Sequence, residues 1–261
     1  MSEESKKTYH RGRRKKKTFG SIFSTILLIV AVIVMIFSGI QLYKIFKGYH
    51  DGESEYKEIE KISITHDEGD DRYRVDFDQL WEINQDVIGW IRFDEPAVIS
   101  YPVVQGKDNS EYLSRTFKGF ENTVGSIFMD VNNRSDFTDR NTLIYGHYMY
   151  NGTMFNELDE YRNKEFWDKY PCFYIYTPDG REIKYHIYSV AEVKAGLTAH
   201  RSSFSGDEDF EDFLAQTKAA SFYDTGVEVD KDSQVITLST CTKENNDNRL
   251  VVHGVKVEER K

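Results

Sequence analysis

A cysteine, a histidine and an arginine stand at the ends of predicted strands, where they could act together on a carbonyl group. Cys241 follows the apolar run Gln234–Leu238 through two small residues, and Arg249 opens the next apolar run. His147 closes a third apolar run, Asn141–Tyr145. In a barrel, strand ends that are far apart in sequence meet at one rim. We therefore predict that these three side chains lie together.

The three residue types suit nucleophilic acyl transfer. A cysteine thiolate is stabilised by a nearby cation and attacks an amide carbonyl to form a thioester. An imidazolium supplies the proton that the leaving amine needs. The tetrahedral intermediate carries a negative oxygen, and a guanidinium offers this oxygen several fixed donors. A second amine that attacks the thioester gives transpeptidation, whereas water gives hydrolysis.

Each of these residues also has an ordinary structural explanation. Cysteine is often a small buried apolar residue, and a lone histidine or arginine is often structural. The chain has two cysteines, Cys172 and Cys241, which allow either one disulfide or two free thiols. His186 and His253 lie inside predicted strands. The remaining histidines fall in charged or loop regions and form no recognisable constellation: His10, His50, His66 and His200.

Composition narrows the possible functions. The net charge is −10 although eight of the 34 Lys and Arg fall within the first 18 residues, so the rest of the chain is more acidic still. Such an acidic body argues against nucleic-acid binding, which needs a basic surface. The sequence contains no CxxC or HxxxH motif. We therefore expect neither a metal site nor a cofactor.

The segments that position the three residues are predicted to be mainly β-strands. Cys172–Thr177 and Glu182–Val193 alternate around a Pro-Asp-Gly turn and predict a hairpin. The run Arg249–Val257 predicts a further strand, and helices are expected at 77–84, 156–170 and 207–220. A mostly β fold with a few helices favours a closed or partly closed barrel over a doubly wound sheet.

The N-terminal region predicts a membrane anchor. Residues 19–43 carry no charge and are long enough to span a bilayer, for which about 20 apolar residues are needed. The basic residues of segment 1–18 precede this span, so the rule that positive charge stays inside predicts a cytoplasmic N-terminus and an extracellular body. Residues 44–74 are rich in Lys, Glu and Asp and predict a charged stalk. The globular domain is then expected over 75–261.

The residues around the candidate site resemble the sortases, a family of cysteine transpeptidases. Thr237–Cys241 (TLSTC) resembles the sortase active-site strand, Arg249 stands at the place of the family arginine, and Tyr145-Gly146-His147 resembles the histidine signature. The segments 84–91, 101–113 and 125–130, and a predicted helix before the cysteine strand, resemble class B members. This resemblance implies a closed barrel of about eight strands with flanking helices and an N-terminal transmembrane helix.

What the resemblance implies about function is specific. Such enzymes of Gram-positive bacteria cleave a C-terminal sorting motif of secreted proteins, Asn-Pro-x-Thr-like in class B, and join the Thr carboxyl to a peptidoglycan amine. Cys241 would be the nucleophile, His147 the acid/base and Arg249 the charge stabiliser. Asn109, Tyr145 and Ser239 would contact the substrate, with no metal or cofactor. A thiol endopeptidase without transfer and a non-catalytic surface-binding domain remain alternatives.

Overall fold

The computed structural model describes residues 19–66, 73–96, 99–196, 198–242 and 247–261, which form a β-barrel with flanking helices. The α-helices are α1 (Phe19–Ser63), α2 (Phe77–Ile83), α3 (Lys164–Lys169) and α4 (Asp207–Ala220). The strands are β1 (Ile64–His66), β2 (Tyr73–Val75), β3 (Val87–Phe93), β4 (Ser100–Val104), β5 (Ile127–Met129), β6 (Asn141–Tyr145), β7 (Cys172–Tyr176), β8 (Glu182–Lys194), β9 (Val235–Cys241) and β10 (Asn248–Arg260). Three 3₁₀ helices lie at Glu111–Leu113, Asn156–Arg162 and Thr198–His200.

Strands β3 to β10 close into a barrel, as the sequence predicts. Their order around the barrel is β10, β8, β7, β3, β4, β5, β6, β9. Most neighbours are antiparallel, but β6 runs parallel to β9 and β4 runs parallel to β5. Closure leaves these strands without an open hydrogen-bonding edge. The short strands β1 and β2 form a separate antiparallel pair.

Burial of apolar and aromatic side chains explains why the barrel strands form. In β9 every residue from Val235 to Thr240 is buried, and only Cys241 is half-exposed. Helix α4 covers part of the barrel with Phe210 and Phe213, which are fully buried against β8 to β10 residues such as Tyr188. Each such side chain contributes about 1.5–3 kcal/mol of hydrophobic stabilisation.

One predicted helix is in fact two short ones. The sequence predicts a single helix over 156–170, but the structure has a 3₁₀ helix that ends at Arg162 and a separate α3. Asn163 interrupts them: its backbone is extended, and its side chain accepts a hydrogen bond from the backbone amide of Glu165. Asparagine favours such N-cap positions over helix interiors because its side chain competes for backbone hydrogen bonds.

The first part of α1 is long and apolar enough to cross a membrane. From Ile22 onwards its large side chains are exposed, with Leu27 and Phe37 each 61% accessible. A helix that is apolar all round is typical of a membrane span. The chain divides into two units between Lys47 and Gly48, and this apolar stretch belongs to the first of them.

The segment predicted as a charged stalk is largely part of the globular unit. The second unit begins at Gly48, and its share of α1 buries Tyr56 and Ile59 in the barrel's hydrophobic core. The globular unit therefore begins before residue 75, where the sequence alone predicts that it starts. The reason is that a few well-spaced apolar residues suffice to dock a helix whose other positions are Lys and Glu. The remainder of the predicted stalk contributes β1 and β2, and residues 67–72 lie outside the described residues.

Candidate active site

The parallel register of β6 and β9 brings His147 and Cys241 to one edge of the barrel. Tyr145 is aligned with Ser239 across the two strands. His147 and Cys241 each lie two residues beyond this pair, in the same chain direction. The backbone amide of Gly146 also donates to the Ser239 carbonyl at 3.1 Å, which keeps the two segments together beyond the last aligned pair of β6 and β9.

Strand β10 returns antiparallel to β9 and aligns Arg249 directly with Cys241. Side chains directly opposite each other in an antiparallel pair have their Cβ atoms about 5 Å apart. The Arg249 guanidinium donates through Nη1 to the Asn248 carbonyl at 2.9 Å. Cys241 is the last residue of β9, whereas the sequence predicts a strand that ends three residues earlier at Leu238. The thiol is thus carried by the strand itself.

A cavity of about 240 Å³ joins the predicted site residues. Its lining includes all six of them: Asn109, Tyr145, His147, Ser239, Cys241 and Arg249. Leu113, Phe128, Gly146 and Thr240 complete the wall. A larger cleft of about 350 Å³ lies beside α1, but its lining contains neither a cysteine nor a histidine. The smaller cavity is therefore the better candidate for covalent chemistry.

The imidazole of His147 is held from two sides. Its Nε2 lies 2.6 Å from the Leu113 carbonyl, and because a carbonyl only accepts, Nε2 carries a proton in this arrangement. Gly125 packs against the ring, and a Cβ atom at this position would come within 2.9 Å of His147 Cδ2. The His147 carbonyl accepts from the backbone amide of Phe155 at 3.0 Å. Both the ring and its backbone are thus fixed.

A buried carboxylate connects two of the predicted substrate-contacting residues. Asp130 Oδ2 accepts hydrogen bonds from Asn109 Nδ2 at 2.8 Å and from the Tyr145 hydroxyl at 2.9 Å. Asn109 Oδ1 in turn accepts from the Val131 amide at 2.8 Å. Burial, with the adjacent Asp130, raises the pKa of Tyr145 above its usual value, so the hydroxyl stays a donor. The carboxamide and the phenol are thereby fixed at the cavity wall.

His200 contacts two residues of the cavity wall, Ser239 and Tyr145, although no sequence motif marks it. Its Nε2 lies 2.8 Å from Ser239 Oγ, and its ring stacks on Tyr145 with centroids 6.3 Å apart and an interplanar angle of 11°. It lies in the 3₁₀ helix that follows β8. No sequence motif surrounds His200. Its contacts arise only because the segment after β8 folds back over β9, which the local sequence does not indicate.

Both cysteines are free thiols, which excludes a disulfide between Cys172 and Cys241. Cys172 opens β7, where it is paired in register with His186 of β8. Burial raises the pKa of the Cys172 thiol, which disfavours its thiolate. Among the described residues, no three His, Cys, Asp or Glu side chains are grouped as ligands of a metal ion would be.

His253 is a buried neutral histidine rather than a member of the site. Thr237 Oγ1 donates to Asn141 Oδ1, so it accepts from His253 Nδ1; both distances are 2.9 Å. The other ring nitrogen, Nε2, is buried with no hydrogen-bond partner among the described residues. Burial, with a smaller effect from His200, lowers the pKa of His253 to about 3. A proton on Nε2 would be a buried unpaired charge.

We expect the fold to lose stability on acidification because of His253. The unfolded histidine binds a proton below its usual pKa of 6.5, and the folded one only near 3, so stability is lost as the pH falls between these values. The slope is about 1.4 kcal/mol per pH unit, or about 2 kcal/mol from pH 6.5 to 5. His253→Asn keeps a donor to Thr237 and should remove this part of the slope. The measurement is urea unfolding at several pH values.

The readout for this comparison is intrinsic fluorescence, because all three tryptophans lie in the barrel unit: Trp81, Trp90 and Trp167. Burial also lowers the pKa of His186, but this contribution is common to both proteins and cancels. Equal pH dependence of the free energy of unfolding in the two proteins would contradict the assignment of His253.

Known proteins are similar to this chain over the region that contains the candidate site. A model of the Sortase domain family matches residues 94–257. The chain is 32% identical over 225 residues to Sortase B of Staphylococcus aureus, which covers 84% of this chain and 89% of that protein. It is 32% identical over 237 residues to Sortase B of Listeria monocytogenes, which covers 87% of this chain and 94% of that protein.

Solved structures are similar in the same region. The structure of sortase B from Bacillus anthracis matches with a TM-score of 0.72 at 33% identity, covering 82% of this chain and all of that one. A Staphylococcus aureus sortase B–substrate complex matches with a TM-score of 0.65 at 32% identity, covering 70% of this chain and 84% of that one.

Proposed function

The chain belongs to the sortase family, and we propose that Cys241, His147 and Arg249 are its catalytic residues. The enzyme is a cysteine transpeptidase of the kind that anchors surface proteins to the cell wall. The observation that carries the proposal is the strand register, which aligns Arg249 with Cys241 and leaves His147 and Cys241 two residues beyond one aligned pair. The three side chains line one cavity.

In the first half of the reaction, the Cys241 thiolate attacks the carbonyl carbon of the Thr in the sorting motif. Negative charge collects on the carbonyl oxygen of the tetrahedral intermediate, where the Arg249 guanidinium stabilises it. Collapse of the intermediate breaks the peptide bond after Thr, and protonated His147 gives a proton to the leaving amine. The products are a Thr thioester on Cys241 and a free C-terminal fragment.

In the second half, an amine of a peptidoglycan precursor attacks the thioester carbonyl. Neutral His147 accepts the proton that this amine loses, and Cys241 leaves as a thiolate. A new amide then joins the Thr carboxyl to the cell-wall amine. Because His147 starts protonated and Cys241 starts deprotonated, both return to their initial states after one turnover.

We further propose an Asn-Pro-x-Thr-like motif as the substrate. Asn109, Tyr145 and Ser239 line the cavity with polar groups that Asp130 and His200 hold in place, which suits an extended peptide with polar side chains. A relative was solved as a sortase B–substrate complex, which supports substrate binding by a protein of this fold. Residues 19–43 would anchor the enzyme in the membrane, with residues 1–18 in the cytoplasm and the body outside.

The test uses the full chain in detergent micelles with quenched fluorescent peptides that carry Asn-Pro-x-Thr or Leu-Pro-x-Thr motifs. Triglycine serves as the amine acceptor, and products are identified by mass spectrometry. We expect cleavage of the Asn-Pro-x-Thr peptide and a ligated triglycine product. Cleavage that never yields a ligated product would favour the thiol endopeptidase alternative. A folded protein that cleaves neither peptide would contradict the proposed substrate.

A further inference from the structure

Tyr56 of α1 reaches into the loop that forms one wall of the His147 site. Its side chain is 5% exposed, and its hydroxyl donates to the Gly125 carbonyl at 2.6 Å. The same oxygen lies 3.0 Å from Ser126 Oγ and accepts from the Phe117 amide at 3.3 Å. One phenol thus connects two parts of the segment 112–126. From the sequence alone, this part of the chain is expected to be a stalk.

The residues that Tyr56 holds are next to those that touch the imidazole. Leu113 supplies the carbonyl 2.6 Å from His147 Nε2. Gly125 has a φ of +61°, and a Cβ there would come within 2.8 Å of the Leu113 carbonyl and 2.9 Å of the imidazole. The Ser126 amide donates to the Tyr112 carbonyl at 3.0 Å, which ties the two ends of the loop together. The Tyr56 hydroxyl is therefore bonded to the backbone of a residue that packs on the ring.

A second set of contacts leads from Tyr56 to the segment after His147. The Tyr56 ring packs edge-on against Tyr101, with centroids 5.4 Å apart. The Tyr101 hydroxyl accepts from the Met154 amide at 3.0 Å, and Met154 adopts a φ of +60°, which is uncommon for a side chain of its size. The next residue, Phe155, donates its amide to the His147 carbonyl. Tyr56 thus supports both the loop against the ring and the backbone of His147.

We propose that Tyr56 is a positioning residue for His147, and that residues 48–63 of α1 are part of the active-site scaffold. Tyr56 touches no reacting atom in this scheme and acts through Gly125, Leu113 and Met154. The inference rests on the proposed role of His147 as acid/base. Loss of the Tyr56 hydroxyl would let the loop and the imidazole shift, and displacements of about 1 Å in a catalytic group cost up to about 100-fold in rate.

The test is Tyr56→Phe in the full chain, assayed in detergent micelles with the cleavable peptide. The phenyl ring keeps its packing on Tyr101, so we expect a folded protein. The kcat should fall about tenfold. KM should change less than twofold, because Asn109 and Ser239 are held by other residues. The pH dependence of kcat should also shift, since the proton on His147 Nε2 would lose its fixed acceptor.

Tyr188→Phe is the matched control. Tyr188 is also fully buried, and its hydroxyl is bonded to Thr217 Oγ1 at 3.0 Å in α4, away from the cavity lining. Tyr188→Phe should lower the free energy of unfolding in urea by an amount comparable to Tyr56→Phe, while kcat and its pH dependence stay unchanged. If Tyr56→Phe does not fold, Tyr101→Phe removes the acceptor of the Met154 amide and should lower kcat in the same direction.

The outcomes separate this inference from the proposed function. A wild-type enzyme that cleaves peptide, an inactive His147→Ala and a Tyr56→Phe with wild-type kcat and pH profile would overturn only the role of Tyr56. Equal losses of kcat in Tyr56→Phe and Tyr188→Phe would overturn it too, by reducing it to general stability. Full activity of His147→Ala would instead overturn the acid/base assignment on which the inference rests.

Discussion

Cys241→Ala is expected to abolish both peptide cleavage and thioester formation, with a fall in kcat of at least about 10⁴-fold. Alanine removes the only thiol in the cavity lining and leaves no group that can form the acyl-enzyme. Cys241 is half-exposed at the end of β9, so the substitution leaves no large buried void and the fold should persist. The measurement combines peptide cleavage with intact-protein mass spectrometry, which detects the covalent acyl intermediate.

Cys172→Ala is the matched control, because it removes the chain's other cysteine from a strand end. Cys172 is absent from the cavity lining, and burial raises its pKa, so its loss should leave kcat within about twofold. A folded Cys172→Ala without activity, or an acyl intermediate that persists in Cys241→Ala, would reverse the assignment of the nucleophile. The single-cysteine enzyme also places any covalent adduct on Cys241 without ambiguity.

The candidate site could be predicted from the sequence because its members are tied to strand ends. Cys241, His147 and Arg249 each adjoin a short apolar run, and such runs, rich in β-branched residues and bounded by turn residues, are consistent with buried strands. Once β6, β9 and β10 are neighbours, the register alone brings the three residues to one edge. The family is predicted from the resemblance of these motifs to those of sortases. Composition and residue spacing alone do not indicate it.

What could not be predicted depends on how segments without a local signal fold back onto the barrel. His200 lies in a short 3₁₀ helix after β8, and only the fold brings it to Ser239 and Tyr145. Tyr56 lies in a helix rich in Lys and Glu, where one buried tyrosine is easily taken for a chance feature of a stalk. Such residues are identified by their contacts, since no period or motif marks them.

The structural role of the last part of α1 is also hard to predict, because the first part of the helix is so strongly apolar. The uncharged stretch 19–43 is so clear a membrane signal that a stalk is the natural interpretation of the charged residues after it. The helix instead runs without a break to Ser63, which is fully buried. Helices end where capping or packing ends them, so the change of composition after residue 43 does not end α1, and the globular unit begins inside the helix at Gly48.

Arg249→Ala is expected to lower kcat by about 10²- to 10³-fold while the barrel remains folded. Removal of one donor to a developing oxyanion has an effect of this size. The β10 backbone ladder to β8 and β9 does not depend on the side chain, so stability should change little. Arg249→Lys retains the charge but loses the planar fork, so it should recover only part of the rate. Steady-state peptide cleavage at saturating substrate gives the comparison.

Arg92→Ala is the matched control, since Arg92 is also a partly buried barrel arginine but stacks on Tyr73, outside the cavity lining. It should retain kcat, and a loss equal to that of Arg249→Ala would remove the case for a specific role. Alkylation by iodoacetamide in the Cys172→Ala background then separates two contributions of Arg249. If the guanidinium stabilises the thiolate, Arg249→Ala slows alkylation of Cys241 as well as turnover. If it acts only on the oxyanion, alkylation keeps its rate while kcat falls, because alkylation forms no tetrahedral oxyanion.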